Sequence, residues 1–184
     1  MENQRTKKKI FTVKKLAFSG IMVAMSIVLG KLLAFNIGNM IRFSLENMPL
    51  IFSGIVLGPI WGMLTGVVAD LIGCLIVGYE INPIVTLGAA VIGALSGVVY
   101  KITPYVPSNI RILLTVTIPH LLGSVAIKTV GLAQFYLADS DMSYMALLGY
   151  RALTYLLIGT LEVLIISFLM KNKGIKGYIA KYEK

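Results

Sequence analysis

Six apolar stretches, separated by short polar or Pro/Gly-containing connections, fill the chain from residue 13 to residue 170. A helix crossing a hydrocarbon core about 30 Å thick needs about 20 such residues. That core holds no water, so each crossing must satisfy its own backbone polar groups, which selects helices. The runs are Val13–Phe35, Glu46–Leu57, Ile60–Val77, Pro83–Lys101, Arg111–Leu137 and Tyr144–Met170. The second is too short to cross alone, which predicts a broken or steeply packed helix. Gly58-Pro59 ends it, because proline cannot continue the hydrogen-bond ladder and disfavours helix in the residue before it. Hydrophobic residues make up 57% of the 184 and charged residues only 14%, with a mean hydropathy of +0.85. A soluble fold of this size has nowhere to bury so much apolar surface. The sequence therefore predicts an all-α integral membrane protein, a compact bundle of six transmembrane helices forming one membrane domain over residues 1–184. Soluble enzyme, disordered chain and secreted disulfide scaffold are excluded. The single cysteine, Cys74, allows no internal disulfide and reads as a small apolar filler within a helix.

The placement of basic residues sets the expected topology. Of 17 lysines and arginines, 11 lie in the two ends: Arg5, Lys7, Lys8, Lys9, Lys14 and Lys15, then Lys171, Lys173, Lys176, Lys181 and Lys184. Basic clusters beside membrane spans mark the cytoplasmic side. The tails 1–12 and 171–184 are thus expected in the cytoplasm, which requires an even number of spans. Alternation then places Lys101–Arg111 inside and Glu46, Glu80, Asp139 and Asp141 in outer loops. A net charge of +9 also raises nucleic acid as a partner, but neither tail has the stacking aromatics of a basic binding groove, so that reading is set aside. The first run, with its basic leader, lacks a clear small-residue cleavage site and is read as a span rather than a secretory signal.

Small residues recur every fourth position at Gly54, Gly58, Gly62 and Gly66, continuing to Asp70, and again at Gly93 and Gly97 and at Gly20 and Ala24. That spacing lets membrane helices approach closely and gain van der Waals contact. Four cations remain that the topology does not explain: Lys31, Arg42, Lys128 and Arg151. A charge at the bilayer centre costs at least about 3 kcal/mol, so these residues are expected to pair or to face a cavity. The intramembrane acids are Asp70 and Glu162. Mutual neutralisation, for example Lys128 with Asp70, is the alternative reading for any single pair, but it does not cover the set. Glu162 lies roughly 16 Å along its helix from Arg151, too far to meet it. Four cations against two buried acids leave a positive surplus toward the outside unless outer-loop acids fold inward. An anionic ligand would use it, arginine being suited to carboxylates by its planar fork of donors. Phe35, Phe43, Tyr79, Tyr150 and Tyr155 cluster at the same helix ends, with Asn82 and Thr86 as polar edges. They suit a flat-ringed ligand or an interfacial aromatic belt.

No glycine-rich run ends in Lys-Ser or Lys-Thr, so the chain has no ATP-binding P-loop. His120 is the only histidine and reads as a helix-packing residue after Pro119. Nothing suggests hydrolysis or metal chemistry; the chain binds or conveys. A carrier using Asp70, Glu162 and Lys128 as a proton relay is a competing expectation, against which stands the lack of a clear inverted repeat.

The stretches Arg42-Phe43-Ser44-Leu45-Glu46-Asn47-Met48-Pro49, Leu57-Gly58-Pro59-Ile60-Trp61-Gly62, Gly66-Val67-Val68-Ala69-Asp70-Leu71-Ile72-Gly73 and Asn82-Pro83-Ile84-Val85-Thr86-Leu87 resemble the folate-type substrate-binding subunits (S components) of energy-coupling factor (ECF) vitamin transporters. Lys128 and Gly149-Tyr150-Arg151 continue the likeness into the last two spans. The resemblance implies a six-helix fold that binds a vitamin tightly at its outer side, in a prokaryotic plasma membrane. It also implies docking on a shared module of one transmembrane coupling protein and two ATPases, which hydrolyse the ATP; this chain would carry no cofactor. The coupling face would be Gly20 and Ala24 with Ala17, a glycine standing where the family's motif begins with alanine. For a folate, Arg151 and Arg42, then Lys128 and Lys31, are the expected partners of the two glutamyl carboxylates. Asp70 would accept from the pterin edge, with Asn82, Thr86, Phe43, Tyr79 and Tyr155 completing the site.

Overall fold

The computed structural model describes residues 13–37, 41–137, 143–175, 177 and 179. Helix α1 covers Val13–Ile27 and runs into a π-helical turn, Val28–Leu32. A short antiparallel hairpin comes next, β1 Phe35–Ile37 with β2 Ile41–Phe43, pairing Phe35 with Phe43 and Asn36 with Arg42. The remaining helices are α2 Asn47–Leu57, α3 Pro59–Val77, α4 Pro83–Ile102, α5 Ser108–Pro119, α6 Lys128–Tyr136 and α7 Tyr144–Leu169. A second π-helical segment, His120–Ile127, joins α5 to α6.

Among the described residues, five helical stretches are long and apolar enough to cross a membrane: Val13–Leu32, Pro59–Val77, Pro83–Ile102, Ser108–Ala133 and Tyr144–Leu169. Helix α2 is different. Its 11 residues rise only about 16 Å, and every one of them is buried. The short second run of the sequence is thus a central half-length helix sheathed by the others. One expected boundary and the expected all-α content need correction. The first helix stops at Leu32 rather than Phe35, and a two-stranded hairpin departs from a purely helical chain, because Phe35 onward is drawn into strand pairing. The fifth run is one continuous path of three segments: Pro119 has no N–H for the ladder, and the turn after it widens into π geometry.

Local chemistry sets the joints. Gly58, at φ 97°, makes the sharp reversal between α2 and α3 that no side-chain-bearing residue adopts readily, and Pro59 starts α3. Asn82 caps α4, accepting from the backbone N–H of Ile84 and Val85 at 3.0 and 3.4 Å, with Pro83 in the first helical position. Packing then fixes direction. A Cβ on Gly62 or on Gly93 would fall on the other's carbonyl oxygen, and one on Gly66 on that of Ala89, so α3 and α4 cross backbone to backbone and run antiparallel. Ser19 meets Thr65 at 2.8 Å and Lys31 packs on Gly73, so α1 runs parallel to α3. His120 meets Glu162 and Arg151 meets Thr129, so α7 runs back along the α5–α6 path. The start of α1 and the end of α7 therefore share one end of the bundle. The hairpin, the start of α2 and residues 78–82 lie at the opposite, distal end. Leucines 153, 156, 157 and 164 and Phe168 leave α7 widely exposed, as a lipid-facing surface is.

Candidate functional site

The polar residues of an apolar bundle mark where it does something other than pack. Lys31 lies in the first π turn and Lys128 comes directly after the second. A π turn takes an extra residue and so re-aims the side chains beyond it. Here both lysines border a cavity in the distal half, of about 20 Å³ and lined by Ser26, Lys31, Glu46, Asn47, Asp70 and Lys128 among others. That is room for about one water.

Lys128 is 3% exposed. Its Nζ lies 3.1 Å from Glu46 Oε1 and donates to Asn47 Oδ1 at 3.3 Å. Glu46 is seated by its own backbone, its N–H donating to Ser44 Oγ at 3.1 Å and its carbonyl accepting from Ser26 Oγ at 2.7 Å. Across the cavity, Asp70 Oδ2 accepts from Thr86 Oγ1 at 2.7 Å. Lys31 Nζ stands 5.4 Å from the centroid of the Tyr79 ring, within cation–π range.

A hydrogen-bond chain leaves this cavity for the interior. Asn47 Nδ2 donates to Ser124 Oγ at 3.3 Å, Ser124 Oγ lies 3.1 Å from His120 Nδ1, and His120 Nε2 lies 2.6 Å from Glu162 Oε2. The polarity of the chain is set by its first link. Lys128 can only donate, so Asn47 must present its oxygen to the lysine and its NH₂ to Ser124. The Ser124 hydrogen is then free for Nδ1, which leaves His120 its Nε2–H to give to Glu162. Every donor points from Lys128 toward Glu162, which is fully buried. Arg151 joins the chain from the side: it donates to Thr129 Oγ1 at 2.8 Å, to the Ser124 carbonyl at 3.3 Å and to the Tyr155 hydroxyl at 3.4 Å. Among the described residues no carboxylate lies within ion-pair distance of Arg151.

The expected site residues thus divide. Lys31, Asp70 and Lys128 share the cavity, with Thr86 bound to Asp70. Arg151 and Tyr155 form an adjoining cluster, the Tyr155 ring lying 5.3 Å from that of His120. Tyr79 is exposed beside Lys31. Phe43 is half-buried in β2. Asn82 is committed to structure: besides capping α4 it donates to the Gly131 carbonyl at 2.7 Å, so it ties α4 to α6 rather than offering a free polar edge. The Arg42 side chain, and Asp139 and Asp141, lie outside the described residues. Ala17, Gly20 and Ala24 are all exposed along one face of α1, with nothing within 4 Å of a Cβ on Gly20.

Two expectations about charge are corrected. The Lys128–Asp70 pair does not form, because Glu46 turns inward from the start of α2 and takes Lys128. Among the described residues Glu162 serves no lysine or arginine; it takes His120, which is a partner in the polar chain as well as a packing residue. The cavity itself is balanced, Lys31 and Lys128 against Glu46 and Asp70. Sequence reasoning missed Glu46, Asn47, Ser124 and the His120–Glu162 contact. The spacing of His120 and Ser124, four residues apart, held the one signal that they share a helix face.

The family model described as "ECF transporter, substrate-specific component" matches residues 14–180. Among solved structures, the chain is similar to FolT bound with folic acid, at TM-score 0.70 and 23% identity over 88% of this chain and 96% of that one. It is also similar to the S component for biotin from an ECF-type ABC transporter, at TM-score 0.64 and 23% identity over 97% of this chain and 99% of that one. At such identity the likeness to these two is one of fold. No curated protein matches the chain in sequence.

Proposed function

The chain belongs to the family of ECF transporter substrate-specific components, and from that premise we propose that it binds folate, or a reduced folate, at the distal end of the bundle. Members of this family are transport subunits that bind substrate and are not enzymes. The distal end faces outward and both termini the cytoplasm, in keeping with the basic residues around the first and last helices. Six crossings, α2 being the short one, span the plasma membrane of a prokaryotic cell.

The observation that carries the reading is Arg151: a guanidinium set inside the bundle, held by a hydroxyl, a carbonyl and a phenol, with no carboxylate partner among the described residues. Such a group is poised for a carboxylate from elsewhere. Lys31 and Lys128 stand on the cavity side of it, and Arg42 on β2 borders the same end. A folate brings two glutamyl carboxylates for these cations and a donor-rich pterin edge for Asp70, with Phe43 and Tyr79 available to its rings. The water-sized cavity is far below the several hundred Å³ of a vitamin site, so binding requires the distal segments to part. The exposed small-residue face of α1, Ala17, Gly20 and Ala24, docks on the coupling protein. Two partner ATPases hydrolyse ATP, and this chain binds no cofactor of its own.

A second reading keeps the family and changes the vitamin. The biotin-binding relative spans more of this chain than the folate-binding one, and biotin too carries a carboxylate. Titration calorimetry of the purified chain with folic acid and with biotin separates them. Tight folate binding without ATP hydrolysis is expected; heat with biotin alone would reassign the substrate, and heat with neither would refute the role given to Arg151.

A further inference from the structure

We propose that Glu46 is a resident stand-in for the ligand's carboxylate, occupying Lys128 in the empty protein and displaced from it when the vitamin binds. The inference rests on the proposed vitamin-binding role and deepens it by assigning a residue that sets the charge requirement of the site.

The placement of Glu46 suits exchange. Its carboxylate sits on the one buried lysine among the described residues: the side chain of Lys128 is 4% exposed, that of Glu46 is 28% exposed. The acid can therefore swing outward into water while the lysine stays. Lys128 is kept in place during the exchange by Asn47 Oδ1, itself anchored on Ser124. The backbone of Glu46 is fixed by Ser26 and Ser44, so the side chain can leave without unwinding α2. Gly30 leaves room for it: a Cβ there would stand 2.7 Å from the Glu46 Cβ and 2.8 Å from its Oε2. A side chain at position 30 would force Glu46 to shift.

Charge balance gives the direction. Two lysines and two acids line the cavity, for a net charge of zero. Adding a ligand carboxylate while Glu46 remains would set two anions on one buried lysine, an unfavourable like-charge juxtaposition in a desolvated site. Exchanging one carboxylate for the other keeps the site neutral. Asp70 is not the one to leave, since it is held by Thr86 and faces Lys31 and Lys128 across the cavity. Glu46 thus opposes every anionic ligand by the strength of its own ion pair. A neutral ligand, which has no carboxylate to offer Lys128, gains nothing from breaking that pair.

The test is Glu46→Gln, which retains an oxygen acceptor for Lys128 but removes the competing charge. Folic acid and biotin, titrated into wild type and variant, serve as probes, each alongside its carboxamide form. The vitamin that wild type binds is expected to bind E46Q about tenfold more tightly or better, and the gain is expected to vanish for the carboxamide. Equal or weaker binding to E46Q overturns the proposal; weaker binding would make Glu46 an acceptor for the ligand's own N–H groups. If E46Q fails to fold, carbodiimide labelling of wild-type carboxylates decides by mass spectrometry: labelling of Glu46 rises on adding the vitamin if the acid is displaced, and an unchanged or reduced yield overturns the exchange. Wild type that binds neither vitamin refutes the binding role itself, and this inference falls with it.

Discussion

Replacing His120 with phenylalanine isolates what the deepest polar contact contributes. Glu162 is 0% exposed, its Oε2 lies 2.6 Å from His120 Nε2, and its Oε1 has no hydrogen-bond partner among the described residues. Its nearest helical neighbours give no substitute: Ile158 and Ile166 are fully buried and apolar, and the Thr160 hydroxyl is spent on the Leu156 carbonyl. Phenylalanine keeps a ring against Tyr155 while removing both nitrogens, so the acid is left without a donor. Leaving a buried carboxyl without its hydrogen-bond donor costs about 1–3 kcal/mol. Removing both partners is a different matter. A His120→Phe, Glu162→Met double variant replaces the pair by apolar groups of similar volume and is expected within about 1.5 kcal/mol of wild type. The assay is unfolding in detergent micelles followed by the fluorescence of Trp61, the single tryptophan and a buried one. A double variant as unstable as the single one would mean that the loss is packing rather than a stranded polar group. An unperturbed single variant would refute the contact altogether.

Arg151→Ala is expected to weaken folate binding by about 2 kcal/mol, roughly thirtyfold, because a charged hydrogen bond to a ligand carboxylate is lost; unchanged affinity by calorimetry would remove Arg151 from the site. Gly93→Ala drives a methyl group into the Gly62 carbonyl and should cost about 1–3 kcal/mol in the same fluorescence assay, whereas Gly149→Ala, with nothing within 4 Å of its Cβ, should be near neutral or slightly stabilising. Equal effects at the two positions would contradict the close crossing of α3 and α4. Gly20→Leu, on the exposed face of α1, should leave folate affinity unchanged while reducing uptake by vesicles that also contain the coupling protein and ATPases; full uptake would move the docking face elsewhere.

The helices and their approximate limits were legible because membrane insertion is decided locally: an apolar run of sufficient length must become a helix wherever it lies in the chain. The joints were equally plain, Gly58-Pro59 and Asn82-Pro83 carrying their geometry in their own covalent structure. The glycine repeats announced close crossings without naming partners. It took the fold to set Gly62 against Gly93 and Gly66 against Ala89. The candidate site was legible by residue type and misread in its pairing. Lys31, Asp70 and Lys128 do line one cavity, yet Glu46, the first residue of the second run and expected among the outer-loop acids, turns in to claim Lys128.

By itself the sequence determined that this chain lives in a membrane, which segments are helical and which cations lack a topological purpose, since each is dictated by the cost of placing a given side chain or peptide group in hydrocarbon. Only the tertiary structure decided which charges face one another. Glu46 and Lys128 are 82 residues apart and His120 and Glu162 are 42 apart. Such contacts depend on how helices cross and where π turns re-aim their faces, and no pattern along one helix encodes the face of another.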